Sequence, residues 1–232
     1  MSVKKKLNLY LQEFVTPEKA ENFQSVIENR TRYLTVVLED IYQPQNASAV
    51  LRTCDCYGIQ DVHIIENQNK YRINPDVVLG ADKWLNLFRY NKKKSNTIDA
   101  IKALKNDGYR IVATSLQNNS IPIDDLNLKQ GKIALIFGTE TRGISKEVMK
   151  NSDEFLKIPM YGFTKSFNIS VSAAIIIHHL TEKLRNSGFQ WKLSEDEKDD
   201  ILLEWFQKSI KSSKLIISDY LKKSSGNNDF PI

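Results

Sequence analysis

Short apolar runs alternate with longer amphipathic segments through the middle of the chain. Runs typical of buried strands lie at 33–39, 62–66, 110–116, 132–138 and 155–160. Segments with helical spacing of apolar residues lie between or after them, at 46–58, 97–108, 145–152 and 168–186. Strands that alternate with helices predict an α/β fold in which helices cover both faces of a parallel sheet.

The two ends of the chain are polar, with scattered apolar positions. Residues 1–33 are expected to form one or two helices, and a further helix is expected after Ser194, because Ser194 and Glu197 have the spacing of a capping box. The last stretch, 222–232, is expected to be frayed. We therefore predict three parts: a helical extension at 1–33, an α/β domain at 34–187 and a second helical extension at 188–232.

The positive charge of the chain is uneven. The 232 residues carry a formal net charge of +5. Residues 67–94 hold an excess of basic over acidic side chains, namely Lys70, Arg72, Lys83, Arg89, Lys92, Lys93 and Lys94 against Asp76 and Asp82. A basic surface is compatible with a polyanion partner such as nucleic acid, although many proteins without such a partner are as basic. If there is a polyanion footprint, it is expected in the middle of the chain.

Disulfide, metal and membrane roles find no support in the pattern. Cys54 and Cys56 are too close in sequence to pair readily, and no further ligand pattern follows them. His178 and His179 are adjacent on a predicted helix and point in different directions. No apolar run reaches membrane length, and the N-terminus lacks the apolar core of a signal peptide. We expect a cytoplasmic protein with reduced thiols, no metal and no membrane partner.

Three polar segments follow predicted strands, where loops and helix N-termini form the ligand sites of open parallel sheets. The first, 39–55, contains Asn46 at a predicted helix start and Arg52 further along the helix. Asn46 is either a helix cap or a site residue. Arg52 is either a solvated charge or a group that holds a phosphate or helps a hydroxyl lose its proton, because a guanidinium stays charged and offers two parallel donors.

The second segment, 138–145, reads GTETRGIS and resembles the start of a phosphate-binding loop after a strand. Ile144 stands where the lysine of such a loop is required, and Glu140 would repel the phosphates of a nucleotide. The carboxylate of Glu140 can instead meet a cationic ligand, a ribose hydroxyl or the neighbouring Arg142. A turn with a purely structural role remains an alternative, since its two glycines permit tight backbone geometry.

The third segment, 158–174, reads IPMYGFTKSFNISVSAA. Small polar residues follow a predicted strand here and precede an apolar helix. Ser170 and Ser172 are explained as helix caps. Ser166 and Asn168 exceed what capping requires, so they are candidates for a site.

Taken in this order, the three segments resemble the motifs of one family, the SPOUT class of S-adenosylmethionine-dependent RNA methyltransferases, in particular the TrmH (SpoU) ribose 2′-O-methyltransferases. The resemblance covers roughly 34–187. It implies a sheet whose C-terminal part threads through a loop as a deep trefoil knot, a rare exception to unknotted topology. It also implies that the second and third motifs form a pocket for S-adenosylmethionine, so that GTETRG shapes a cofactor site rather than a phosphate site.

The resemblance also implies roles for individual residues. Asn46 and Arg52 match the first-motif residues assigned to catalysis, Glu140 matches the second-motif glutamate, and Ser166 and Asn168 match the third-motif serine and asparagine. Positions that would contact the cofactor, largely through the backbone, are Thr114, Gly138, Ile158 and Phe167. Phe167 stands where a leucine is commoner in the family, and its apolar side chain should preserve the apolar wall of the cofactor pocket.

A homodimer and an RNA substrate are further implications of the resemblance. The family dimerises through its knot helix, and the apolar run at 173–180 fits such an interface, although a monomeric core explains it equally well. The first motif and the terminal helices are most similar to those of the members that methylate the D-loop guanosine at position 18 of tRNA, which is therefore the expected substrate. Members that act on ribosomal RNA usually carry a larger N-terminal domain, whereas only about 33 residues precede the first strand here. Ribosomal RNA, a wobble nucleotide of tRNA and a non-catalytic RNA-binding role remain alternatives. If the N- and C-terminal extensions bind tRNA, they should be rich in arginine. In this chain both extensions contain few arginines.

Overall fold

Seven strands form one sheet in the central unit of the chain, residues 30–192. The computed structural model describes residues 2–116, 119–139 and 141–226. The strands are β1 (Leu34–Glu39), β2 (Asp61–Ile65), β3 (Asn86–Tyr90), β4 (Arg110–Thr114), β5 (Ile121–Pro122), β6 (Ile133–Phe137) and β7 (Glu154–Lys157). Their order is β3-β2-β1-β6-β4-β7-β5, and every neighbouring pair is parallel. The predicted parallel α/β fold is confirmed.

Helices flank the sheet and occupy both ends of the chain. They are α1 (Val3–Gln12), α2 (Pro17–Ile27), α3 (Pro44–Cys56), α4 (Pro75–Val78), α5 (Thr97–Asn106), α6 (Lys146–Asn151), α7 (Ile169–Arg185), α8 (Glu195–Ser209) and α9 (Ser213–Gly226). Successive side chains of β1 point to opposite faces of the sheet. Val36 and Leu38 therefore pack in one core with α3 and α7, and Val37 packs in another with α5 and α6.

The order of the strands reverses at the middle of the sheet. From β1 the chain adds β2 and β3 on one side, whereas β6 pairs with β1 on the other side, with Leu38 opposite Phe137. Loops at the carboxyl ends of strands diverge at such a reversal, and ligands of open α/β sheets bind there. A ligand site is therefore expected at the carboxyl edge of the sheet near β6, which borders the reversal.

A second compact unit contains the residues before Arg30 and those from Leu193 onward. Its core holds Leu7, Leu11, Phe23, Trp205 and Phe206, and the ring centroid of Phe23 lies 5.4 Å from both the Trp205 and the Phe206 rings. The predicted capping box of α8 is confirmed. The Ser194 hydroxyl accepts from the Glu197 amide, and the Glu197 carboxylate accepts from the Ser194 amide.

The basic stretch 67–94 contains α4 and β3, neither of which the pattern of apolar residues predicts. β3 lies at the edge of the sheet and is half exposed, so its residues form no continuous apolar run. The expectation of a frayed end is wrong as far as Gly226, because α9 reaches that residue. Residues 227–232 lie outside the described part.

Metal and membrane features are not found in the described ranges. Of the helices described, none has both the length and the apolar character to cross a membrane. Within the same residues, no group of three or more His, Cys, Asp and Glu side chains is placed to hold a metal ion. Both cysteines are free thiols. Cys56 is exposed, and burial raises the pKa of the Cys54 thiol far above its ordinary value.

Candidate active site

A cavity of about 660 Å³ opens at the carboxyl ends of β4, β6 and β7. Its lining includes six residues that sequence reasoning singled out: Thr114, Gly138, Ile158, Ser166, Phe167 and Asn168. Thr114 ends β4, Gly138 follows β6 and Ile158 follows β7, so parallel strands bring distant positions to one edge. Three of the strand ends and the two later motifs thus meet at one cavity.

The glycine-rich turn after β6 is closed on itself. Thr139 and Gly143 exchange two backbone hydrogen bonds of 2.9 Å, and the Arg142 amide donates to the Thr139 hydroxyl at 3.0 Å. A Cβ added to Gly138 would lie 2.3 Å from the backbone of Gly143. The turn therefore requires glycine at 138. Glu140, the predicted second-motif residue, lies outside the described residues.

A buried carboxylate ties the far end of this turn to the sheet. Glu39, at the end of β1, is only 1% exposed. It accepts from the backbone amide and the hydroxyl of Ser145 at 2.9 and 2.7 Å, and from the Thr97 hydroxyl at 2.7 Å. Ser145 directly follows Ile144, which lines the cavity. Sequence reasoning did not identify Glu39; the only signal was an acid ending an apolar strand.

Asn46 and Asn168 meet beside the cavity. The Asn168 side-chain amide donates to the Asn46 side-chain oxygen at 3.2 Å, although 122 positions separate the two residues. Asn168 also caps α7, since its side-chain oxygen accepts from the Ser170 amide at 2.8 Å. The expectation that Ser170 and Ser172 are the caps is wrong, because both lie inside the helix. The interpretation of Asn46 as the cap of α3 is wrong, because that helix begins at Pro44 and Asn46 lies within its first turn, 7% exposed.

Arg52 lies apart from these residues. It is exposed on α3 and does not line the cavity. It makes no ion pair with any residue that the structure describes. Its guanidinium is therefore open to a partner that approaches from solvent.

Residues that sequence reasoning did not name also line the cavity, among them Leu116, Met149, Lys157 and Met160.

Comparison with known families accounts for this arrangement. The profile of the SpoU rRNA Methylase family matches residues 33–178, a range that includes all three motifs. The chain belongs to this family.

Three relatives illustrate the range of similarity. A tRNA (guanosine(18)-2′-O)-methyltransferase of Borreliella burgdorferi is 47% identical, over 89% of this chain and 92% of the relative. The A. aeolicus TrmH/SpoU tRNA modifying enzyme, a crystal structure, is 28% identical with a TM-score of 0.74, over 84% of this chain and 98% of that chain. The SpoU methyltransferase AviRb of Streptomyces viridochromogenes, solved with the cofactor AdoMet, is 21% identical with a TM-score of 0.58, over 70% and 65% of the two chains. At that identity the last likeness shows the fold alone.

Proposed function

We propose that this SpoU-family protein transfers a methyl group from S-adenosylmethionine to the ribose 2′-hydroxyl of guanosine 18 in tRNA. The observation that carries the proposal is the 47% identity to the Borreliella burgdorferi enzyme named for that reaction. The alignment spans 206 residues and so reaches beyond the family match at 33–178. The likeness thus includes sequence outside the domain that the whole family shares.

The cavity suits S-adenosylmethionine as the cofactor. Its volume of about 660 Å³ is in the range of small-molecule sites, which combine apolar walls with a few polar groups. Leu116, Ile158 and Phe167 supply apolar surface, and Ser166 and Asn168 supply polar groups. We assign cofactor contacts to Thr114, Gly138, Ile158 and Phe167, and we assign Glu140 to the turn that shapes the pocket.

The residues of the chain position the ribose and stabilise the charge that develops on it. Bound S-adenosylmethionine supplies an electrophilic methyl group, so the protein must place the hydroxyl in line with that group and help its proton leave. We assign Asn46, Ser166 and Asn168 to orienting the ribose, because Ser166 and Asn168 line the cavity and Asn46 is hydrogen-bonded to Asn168. Arg52 is a poor base. Its permanent charge is better suited to stabilising the alkoxide that forms on the ribose or to binding a phosphate of the RNA.

Three further features of the family belong to the proposal. We propose that the chain after β6 forms a trefoil knot, as the resemblance to the family implies. We propose a homodimer through α7, where Val171 is 44% exposed beside the half-buried Ala174 and Ile175. We place the enzyme in the cytoplasm, in keeping with its free thiols.

Ribosomal RNA is the second candidate substrate, because the family description names it. The long alignment with a tRNA enzyme favours tRNA. A non-catalytic RNA-binding role is weaker still, since Asn46, Arg52, Ser166 and Asn168 are all present and a site that has lost catalysis has no reason to retain them together.

The experiment that tests the chemistry compares two tRNA transcripts that differ by one oxygen atom. One carries guanosine at position 18, and the other carries 2′-deoxyguanosine there. We expect methyl transfer from labelled S-adenosylmethionine to the first transcript and none to the second. Equal labelling of both transcripts would show that the accepting atom is elsewhere and would refute the proposal.

A further inference from the structure

Two basic loops lie at the carboxyl edge of the sheet, after β2 and β3. The loops, 66–74 and 91–96, carry exposed cations: Lys70, Arg72, Lys92, Lys93 and Lys94. Lys93 pairs with Asp99 at 2.6 Å. The other four make no ion pair with any described residue. These two loops are called the basic surface below.

The backbone of the first loop is fixed by a buried acid. Asp40, 8% exposed, accepts hydrogen bonds from the backbone amides of Asn67, Gln68 and Asn69 on a single carboxylate oxygen, at 2.9, 2.8 and 2.8 Å. Asp40 itself has a positive φ of 58°. Hydrogen bonds to an ionised acceptor are about twice as strong as neutral ones, so this contact holds the loop firmly.

A second set of hydrogen bonds joins the two loops to each other. The buried Asn96 donates its backbone amide to the Asn67 side chain and its side-chain amide to the Glu66 carbonyl, both at 2.7 Å. Glu66 accepts two hydrogen bonds from Arg89, at 2.8 and 3.0 Å, and one from Asn91 at 3.1 Å. Burial alone would raise the pKa of Glu66, but the hydrogen bonds and charge of Arg89 with the Tyr71 amide hold it below its ordinary value.

The network fixes the backbone of the two loops that carry the four cations. On binding, the side chains of these cations lose conformational freedom but the backbone loses little, which favours affinity. The buried carboxylates that organise the loops face inward to their donors, and the cations remain exposed. This arrangement suits an extended polyanion.

The basic surface and the cavity share one edge of the sheet. All strands are parallel, so the loops after β2 and β3 lie on the same edge as those after β4, β6 and β7. β2 is two strands from β6, and β3 is three, which at about 4.8 Å per strand is roughly 10–15 Å. A few nucleotides of RNA span such a distance. Asn46 and the exposed Tyr42 follow β1, which lies between the strands that lead to the basic surface and those that lead to the cavity.

We propose that the basic surface binds the phosphate backbone of the RNA substrate while the target ribose enters the cavity. The inference rests on the proposed function for the identity of that RNA as tRNA. It places the main phosphate contacts on the central unit, in agreement with the excess of basic residues at 67–94. Such contacts position the substrate and carry no sequence information.

The test removes two cations from the basic surface and compares this with the same loss elsewhere. The variant is Lys92→Ala/Lys94→Ala. The matched control is Lys129→Ala/Lys150→Ala, two exposed lysines in the connections that lead into the amino ends of β6 and β7. Affinity for unmodified tRNA is measured by fluorescence anisotropy at several salt concentrations, without methyl transfer. Cofactor affinity and melting temperature are measured in parallel.

We expect the first pair to lower tRNA affinity about tenfold and to reduce the slope of log affinity against log salt by about 1.5, since each phosphate contact contributes 0.7–0.9. The Michaelis constant for tRNA should rise, and turnover at saturating tRNA and cofactor affinity should stay unchanged. The control pair should alter the affinity less than twofold. Equal effects of the two pairs, or no change in slope, would overturn the proposal.

A third variant, Asp40→Gly, separates loop order from charge. The substitution removes a negative charge, and this change of charge alone should strengthen RNA binding. Glycine adopts the positive φ of this position without strain. We expect weaker tRNA binding, because the amides of Asn67, Gln68 and Asn69 lose their acceptor. Stronger binding by the folded variant would contradict the role of the network. If the variant does not fold, the lysine pairs decide alone.

Failure of this proposal is distinct from failure of the proposed function. A wild-type protein that methylates tRNA while the Lys92/Lys94 variant binds tRNA like the control keeps the function and refutes the surface. A wild-type protein that binds tRNA through these lysines without transferring a methyl group keeps the surface and refutes the function.

Discussion

Gly138 is the residue at which the candidate site leaves the least room. A Cβ there would meet the Gly143 backbone at 2.3 Å, and backbone cannot move aside as a flexible side chain can. We expect Gly138→Ala to lower the free energy of unfolding by about 1–3 kcal/mol, as overpacking does, and to abolish cofactor binding.

Calorimetry of cofactor binding and urea unfolding together check this prediction. Gly162→Ala is the control, because nothing lies within 4 Å of a Cβ at that position and the residue is in the same region of the chain. Normal cofactor affinity in Gly138→Ala would show that the turn is not part of the cofactor site.

Glu39 is a residue that sequence reasoning missed and that the structure joins to the end of the turn through Ser145. Glu39→Gln replaces an acceptor by a donor against the Ser145 or Thr97 groups that now donate to it. A buried donor left without a partner costs about 1–3 kcal/mol. We expect that loss of stability together with weaker cofactor binding, since the end of the turn shifts.

Exposed Glu147, on α6 two residues after Ser145, supplies the comparison variant Glu147→Gln. It should match the wild type in urea midpoint and in cofactor affinity by calorimetry. A Glu39→Gln protein that is destabilised but binds cofactor normally would limit Glu39 to a structural role.

Arg52→Ala tests the catalytic assignment that the resemblance supplies. Because Arg52 is exposed and lies outside the cavity lining, its removal should leave cofactor affinity unchanged. Single-turnover methyl transfer should fall by about a hundredfold or more, as expected when one charge-stabilising donor is lost. Turnover like that of the wild type would remove Arg52 from the mechanism.

Residues at the cavity and beside it were predictable where their type was unusual for their place. Asn46, Ser166 and Asn168 stood out as small polar residues beside apolar segments, but their contact could not be read from positions 122 apart. Glu39 was missed because an acid at a strand end resembles an ordinary surface charge. Its burial becomes visible only when Thr97 and Ser145 are brought beside it.

Elements with a full apolar run or clear capping residues were predictable, and elements at the edges were not. The strands β1 and β6 are buried along their whole length, and α8 begins with a complete capping box. β3 and β5 lie at the two edges of the sheet and are only partly buried, and β5 has only two residues, so neither stands out as a long apolar run.

The start of α8 provides a prediction at the scale of one element. Ser194→Ala removes the acceptor for the Glu197 amide and should cost about 1 kcal/mol in stability. Ser194→Asp keeps an acceptor in the acidic first turn and should recover most of it. Denaturant unfolding of the wild type, Ser194→Ala and Ser194→Asp measures these differences in stability. An unchanged midpoint in Ser194→Ala would mean that the cap is frayed in solution.

The strand order belongs to the whole molecule and could not be read from the sequence. Alternating strands and helices imply a parallel sheet, yet they fit many orders, and the placement of β6 between β1 and β4 is set by packing of both faces at once. That placement is what brings the second motif beside the third. The likeness in fold to the A. aeolicus enzyme is therefore more informative than any single segment.

The pH dependence of global stability is predicted from one buried histidine. Burial lowers the pKa of His63 from 6.5 to about 4, and its ring stacks on Phe88. Between these values the unfolded chain binds more protons, so this contribution is constant above pH 6.5 and is lost as the pH falls toward 4. The loss is about 3 kcal/mol for a shift of this size.

His63→Phe keeps an aromatic ring and cannot be protonated, so its stability should fall less steeply than that of the wild type over the same range. Urea unfolding at pH 4.5 to 7.5 measures both slopes. Identical slopes would contradict the assignment of this pH dependence to His63.

The most direct test of the account is methyl transfer to total RNA from cells that lack this enzyme, followed by mapping of every labelled nucleotide. The account predicts label on the ribose of guanosine 18 in tRNA and on no ribosomal RNA. Label confined to ribosomal RNA or to a wobble nucleotide would contradict the substrate, and no label on any RNA would contradict the enzyme itself.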